Sequence, residues 1–196
     1  KIVHGELGFI FTNSMTEFQD DQLLQFFREG REEYAFTLIV KKYQKKLYYH
    51  IRRMVKDHDD ANDILQNALI KVWTGLKNFR EEASLYTWLY RIATNETLTF
   101  LGKNKNVTLV PVEKSQQLSG THIDGDSNVV SGEEIYLKLE NAIKTLPEKQ
   151  RIVFNMKYFD EMPYEQMSQV LDTSVGALKA SFHHAVKKVE EFLTKD

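Results

Sequence analysis

Apolar residues recur along most of this chain with the 3.6-residue period of amphipathic helices. Asp20–Arg28 and Glu32–Val55 read as the first two helices, the second with apolar residues at 36, 39, 40, 43, 47, 51, 54 and 55. Asp60–Leu76 carries Ala61, Leu65, Ala68, Val72 and Leu76 on one stripe, and Asp59 or Asp60 is the predicted N-cap. Gly75 and the following KNFREEAS mark a loop. Ser84 then caps a helix over residues 85–103, with apolar positions 85, 88, 89, 92 and 93. The pattern fails between Asn104 and Gly132, where small and polar residues dominate and little surface can be buried, so this segment reads as a flexible linker. A relaxed coil of 29 residues spans on the order of 30 Å. Helices resume at Glu133–Thr145, from Pro147 to about Phe159, at Tyr164–Leu171 and at Ser174–Leu193. The predicted fold class is all-α: two small helical domains, 20–103 and 133–196, joined by the linker 104–132. Residues 1–19 form an N-terminal extension, with Met15 reading as a natural start.

The last two helices are the most regular. Residues 175, 178, 182, 185, 189 and 192 are apolar, spaced alternately by three and four, and predict one buried stripe. The opposite face shows Gly176, Lys179, Ala180, His183, His184 and Lys187. Asp172-Thr173-Ser174 forms the turn, with Ser174 as N-cap. A short helix, a three-residue turn and a longer helix make a helix-turn-helix, whose second helix enters a DNA major groove. Two small residues let a groove wall approach. Lys179 and His183 reach base edges, and Ser181, His184 and Lys187 reach phosphates.

Charge limits this reading. The whole chain carries −2. Residues 133–196 hold nine Lys/Arg against eleven Asp/Glu, so duplex binding by this half alone is predicted to be weak. The most basic stretch is KKYQKKLYYHIRRMVK, Lys41–Lys56, with seven Lys/Arg and no acid. It reads either as a solvated helix face or as a phosphate-facing surface interleaved with aromatics. The chain has no Cys, which excludes disulfides and thiolate chemistry and suits a cytoplasmic location. No apolar run approaches the roughly 20 residues of a membrane span, so no direct membrane insertion is expected. The patch Gly8–Phe11 is too short for a signal-peptide core.

Two segments carry a family resemblance. LPEKQRIVFNMKYFDEMPYEQMSQVLDTSVGALKASFHHAVKKVEEFL, residues 146–193, resembles region 4 of the extracytoplasmic-function (group IV) bacterial sigma factors. DDANDILQNALIKVWTGLKNFREEASLYTWLYRIATN, residues 59–95, resembles their region 2. The resemblance implies binding to core RNA polymerase, reading and melting of the promoter −10 element by region 2, and reading of the −35 element by region 4. An anti-sigma factor is implied as a further partner. ANDILQ matches the family's polymerase-clamp-binding helix and assigns that role to Asp63 and Gln66, with Asn62 standing where Glu is usual. FREEASLYTWLYRIATN matches the −10-reading loop and the helix behind it. This assigns Phe79, Arg80, Ser84 and Asn95 to the −10 element, with phosphate support from Lys41, Lys45 and Arg52. VGALKASFHHA matches the recognition helix, but Ser181 and His184 stand where the family typically has Arg. The turn usually has Gly where this chain has Asp172, a residue that tolerates a left-handed conformation.

Other readings compete. A stand-alone helix-turn-helix repressor would need only the second half of the chain. Asp57-His58-Asp59-Asp60 has metal-ligand residue types and is similar to helical HD-type phosphohydrolases, with His50 as the nearby further ligand. Trp73 and Trp88 read as core residues, and Met162, Met167 and Tyr158 as packing. No phosphate-binding Gly loop, nucleophile motif or paired catalytic acid stands out, so no enzyme activity, catalytic residue, metal, cofactor or small-molecule substrate is expected.

Overall fold

The structure, a computed structural model, describes residues 18–55, 57–107 and 132–195. These residues form eight α-helices and no strand: α1 Asp20–Arg28, α2 Glu32–Arg52, α3 His58–Leu76, α4 Leu85–Val107, α5 Gly132–Thr145, α6 Glu148–Tyr158, α7 Tyr164–Leu171 and α8 Val175–Leu193. They divide into two units, one ending at Thr97 and one beginning at Leu98. Most of the predicted extension and linker, residues 1–17 and 108–131, lie outside the described residues.

In the first unit α2 is the central element. It buries Ala35, Leu38, Ile39, Tyr43, Leu47 and Ile51 against α1 and α3. Each large aliphatic side chain so buried contributes on the order of 1.5–3 kcal/mol. Asp20 fixes α1 to α2: the Tyr43 hydroxyl and the Lys42 ammonium both donate to its carboxylate at 2.7 Å. Burial, and then the Asp20 carboxylate, push the Tyr43 phenol far above its ordinary range, so it remains a donor. His50 is buried, with Nε2 2.9 Å from Thr94 Oγ1. The Thr94 proton is directed to the Tyr90 carbonyl at 2.7 Å, so His50 Nε2 is the donor to Thr94.

Several boundaries differ from the sequence pattern. α2 ends at Arg52 rather than Val55: the last turn tightens, with the Met54 N–H donating to the Ile51 carbonyl at 2.8 Å, and the Arg52 guanidinium donates to the Val55 carbonyl at 3.0 Å. α3 begins at His58, with Asp57 as its N-cap: the Asp57 carboxylate accepts from the Asp59 and Asp60 N–H groups at 2.7 and 3.4 Å. The buried stripe of α3 passes through Ile64, and Leu65 is only partly buried. Gly75 lies within α3 rather than in a loop. A Cβ there would stand 2.9 Å from Trp88 Cζ2, so the missing side chain is what lets the indole lie against α3. Trp73 and Trp88 are both partly buried, the first beside Phe36 at 5.0 Å and the second beside Phe79 at 4.9 Å between ring centroids. α4 runs to Val107, past Lys103, because no proline interrupts it and each added residue gains a backbone hydrogen bond.

The second unit packs α8 against α5, α6 and α7. Its core joins Ala142, Ile143, Leu146, Phe154, Ala185 and Val189, with Phe182, Val186 and Leu193 packed beside them. Pro147 is the N-cap of α6 rather than a residue inside it. Met162 and Met167 are fully buried. Tyr158, expected as packing, is 54% exposed, although its ring stacks on Phe154 at 5.3 Å and meets Phe159 edge-on at 4.9 Å. Phe192, expected on the buried stripe of α8, is 39% exposed, and Leu193 packs toward the core instead.

Candidate nucleic-acid interface

The turn between α7 and α8 is built by two residues. Asp172 sits in the left-handed region at φ 48°, ψ 49°, and the Thr173 N–H after it closes α7 on the Ser168 carbonyl at 3.3 Å. Ser174 caps α8, its hydroxyl accepting from the Ala177 N–H at 3.3 Å. With the turn so fixed, Leu178, Ala185 and Val189 face the core, and Gly176, Lys179, Ala180, His183, His184 and Lys187 are exposed. Ser181 is partly buried. A Cβ on Gly176 would meet no atom within 4 Å, so nothing in the fold itself demands glycine there. The His183 and His184 rings are 6.0 Å apart.

Sequence reasoning missed the partners of Lys179. Its ammonium stands 5.7 Å from the Tyr164 ring centroid, and that of Lys157 stands 5.1 Å from the same ring. Desolvation raises the Tyr164 phenol above its usual value, so it stays neutral between the two cations. Lys157, Tyr164 and Lys179 lie on α6, α7 and α8, and no spacing along the chain announces that they meet.

In the first unit the loop between α3 and α4 is held at several points. Phe79 packs on Trp88. Glu81 has a positive φ of 58° and forms an ion pair with Arg28 at the end of α1. The Ser84 hydroxyl accepts from the Thr87 N–H at 3.1 Å and lies 2.8 Å from Thr87 Oγ1, so it caps α4 as predicted. Arg80 and Glu82 are exposed. On α4, Asn95 is exposed, and so is Arg91 one turn before it, a residue its i, i+4 spacing from Asn95 could have revealed.

The basic face of α2 is narrower than its sequence suggests. Lys42 is drawn to Asp20 and to the Phe18 carbonyl, and Arg52 to the Val55 carbonyl. Lys56 lies outside the described residues. Lys41, Lys45 and Lys46 remain exposed. On α3, Asp63 and Gln66 are exposed, while Asn62 is partly buried and its side-chain amide lies 2.8 Å from His58 Nδ1. Among the described residues no three His, Asp or Glu side chains converge to hold a metal ion. His50 is buried in the core, whereas His58 is exposed. No helix among them is long and apolar enough to cross a membrane.

Comparison with known proteins identifies both units. Residues 39–107 match the family model of Sigma-70 region 2, and residues 136–189 match that of Sigma-70, region 4. Over 186 residues the chain is 32% identical to the RNA polymerase sigma-H factor of Pseudomonas aeruginosa, covering 91% of this chain and 96% of that protein. It is 28% identical over 183 residues to the ECF RNA polymerase sigma-E factor of Escherichia coli, covering 90% and 95%. The fold is similar to that of CnrH, solved with the cytosolic domain of CnrY, at a TM-score of 0.67 and 19% identity over 90% of this chain and 98% of that one. It is also similar to the Bartonella quintana sigma factor RpoE, solved with the anti-sigma factor NepR, at a TM-score of 0.63 and 20% identity over 82% and 98%. With a helix-turn-helix in the second unit, a tethered loop and helix in the first, and a full-length relative above 30% identity, the chain belongs to the extracytoplasmic-function sigma factors of the sigma-70 family.

Proposed function

We propose a division of labour in which the α8 face reads the −35 element, the loop from Phe79 to Leu85 with Asn95 reads the −10 element, and α3 docks on polymerase. As a sigma factor the chain directs core RNA polymerase to promoters and is a regulatory initiation factor. The finer reading adds no catalysis of its own. The observation that carries it is the bare face of α8. Gly176 and Ala180 leave room that the fold does not use, flanked by Lys179, His183 and Lys187. In this reading the groove wall fills the space, Lys179 and His183 meet base edges, and His184 and Lys187 meet phosphates. Lys157 and Tyr164 add a backbone contact beside Lys179.

In the first unit the held loop supports capture of an unstacked base. A base cannot be read there inside a duplex, and leaving the stack costs a few kcal/mol, which pocket contacts must offset. Arg80, Arg91 and Asn95 are exposed polar side chains on this loop and helix that can donate to a base, and Lys41 and Lys45 supply phosphate contacts. Ser84 contributes by fixing the loop end, since its hydroxyl is committed to the cap. An anti-sigma factor, present in the solved complex of the relative RpoE, belongs to the same proposal. The acidic balance of residues 133–196 makes tight promoter binding depend on core polymerase.

The test is run-off transcription from a randomised promoter library with reconstituted holoenzyme. Exchange of residues 79–85 for another loop is expected to change −10 preference alone, and substitution of Lys179 and His183 to change −35 preference alone. If either exchange leaves its element's preference unchanged, that assignment fails.

A further inference from the structure

His183 and His184 are adjacent on α8 and both exposed, with ring centroids 6.0 Å apart. Neither imidazole has a hydrogen bond or an ion pair among the described residues. The charged groups within one turn of them on α8 are all cations. Lys179 and Lys187 lie four residues before and after His183, and Lys187 and Lys188 follow His184 by three and four. The Lys188 ammonium donates to the Gln150 side chain of α6 at 3.0 Å. The helices packed on α8 add no anion to either ring. α7 brings Tyr164, which lies between Lys157 and Lys179, and the exposed Glu165. α6 brings Glu148 and Arg151, and α5 brings Glu140 and Lys144, which pair with each other at 3.4 Å. None of these carboxylates forms an ion pair with His183 or His184.

Imidazole is the side chain whose ordinary change of charge falls between about pH 5 and 8. DNA phosphate supplies the anion that the fold withholds, and a nearby anion favours the protonated ring. Neutral imidazole has one donor and one acceptor nitrogen, whereas imidazolium donates from both. Two donors suit phosphate oxygens, and they suit the N7 and O6 acceptors that guanine shows in the major groove. Charge in this unit is finely balanced. Residues 133–196 hold nine Lys/Arg against eleven Asp/Glu, so two imidazolium charges bring the unit to neutrality. Both would be added on the face proposed to meet DNA, where each neutralised phosphate strengthens binding.

We infer that the α8 contact with DNA is proton-linked: His183 and His184 take up protons as the helix meets the duplex, and acidification strengthens the contact. This rests on the reading that the same face lies on the −35 element. The protonated form is favoured in the complex, so the gain is present at low pH and is lost as rising pH strips the bound rings of their protons. Lys179 and Lys187 keep their charge throughout and give no such dependence. Holoenzyme binding tests it, with a promoter recovered from the randomised library and the same DNA cut short of the −35 duplex. The ratio of the two affinities is the −35 contribution, and titration of polymerase itself cancels in it. Wild type, His183→Gln, His184→Gln, the double Gln variant and His184→Lys are compared near pH 6 and near pH 8, with thermal melting to check the fold. The wild-type contribution is expected to be about tenfold larger at the lower pH, the scale of one to two protons taken up over part of that range. Its salt slope should steepen there by about 0.9 for each added charge. The double Gln variant should be flat in both, and His184→Lys should hold its contribution at the higher pH. If the wild-type contribution does not change with pH, yet the double variant lowers it equally at both, the linkage is disproved and the −35 reading stands. If the double variant matches wild type at both, the linkage and this use of the α8 face fall together. A pH dependence that survives in the double variant belongs to other groups and also overturns the proposal.

Discussion

The loop before α4 and the outer face of α8 relate in opposite ways to the rest of the protein. The loop is tied down by the Arg28–Glu81 ion pair, the Phe79–Trp88 contact and the Ser84 cap. The α8 face has a glycine with open space around it, an exposed alanine and two neighbouring imidazoles. A helix is already rigid through its backbone hydrogen bonds and its buried side, so its outer side chains are free for a partner. A loop has no such ladder, and its shape depends on the side chains that hold it. Substitutions in the loop should therefore act through stability and shape, and those on α8 through recognition alone.

The largest test of this contrast is Trp88→Ala. The indole supports Phe79 and fills the space beside Gly75. Its removal should destabilise the first unit by about 3 kcal/mol, the lower end for a large aromatic because Trp88 is only partly buried. Denaturant titration of the free chain should show the loss, and transcription should show relaxed −10 preference with −35 preference retained. If −10 preference survives the loss of this support, the tethers do not shape the reading surface.

A smaller effect on stability, but a clear one on specificity, is expected from Lys179→Ala combined with His183→Ala. Both side chains are exposed, so the melting transition should move by no more than about 0.5 kcal/mol. Discrimination at the −35 element should fall by about 1–3 kcal/mol for each base-reading side chain removed. Binding of holoenzyme to matched and mismatched −35 sequences measures it. Unchanged discrimination would place the reading side chains elsewhere on α8. The Tyr164 ring beside Lys179 makes a partial stability effect at that residue the more informative deviation.

The same difference explains what was legible in the sequence. α7, α8 and their turn follow from spacing, because Leu178, Ala185 and Val189 repeat with the helical period and Ser174 is a local cap. Phe192 broke the pattern because Leu193, the next residue, packs toward the core in its place, and the periodicity of one helix does not say which side its neighbours cover at its end. In the first unit the loop was visible as an interruption, yet its tethers were not. Arg28 and Glu81 are far apart in the chain and meet only when α1 is in place. Gly75 looked like a breaker, and its use against Trp88 depends on a side chain from the next helix. The basic stretch of α2 looked uniformly available, but Asp20 takes Lys42 and the turn at Val55 takes Arg52. Local periodicity was readable, and pairings made across the fold were not.

The smallest expected effect is also the sharpest comparison, because one kind of substitution is made in both regions. Asp172 and Glu81 both have left-handed backbone, at φ 48° and 58°. Glycine adopts this region without the steric penalty of a side chain, a difference of about 1 kcal/mol. Asp172→Gly should therefore stabilise the second unit by about 0.5–1 kcal/mol, since the Thr173 backbone N–H closes α7 and glycine at 172 leaves that bond intact. Glu81→Gly relieves the same strain but deletes the partner of Arg28. An exposed ion pair contributes about 0.2–1 kcal/mol, so the two terms nearly cancel. The loop nevertheless loses its tie to α1. Glu81→Gly should leave the melting transition close to wild type and weaken −10 discrimination, whereas Asp172→Gly should raise the transition and leave −35 discrimination alone. Equal stabilisation by both, with both promoter preferences unchanged, would mean that the Arg28–Glu81 pair holds nothing in place.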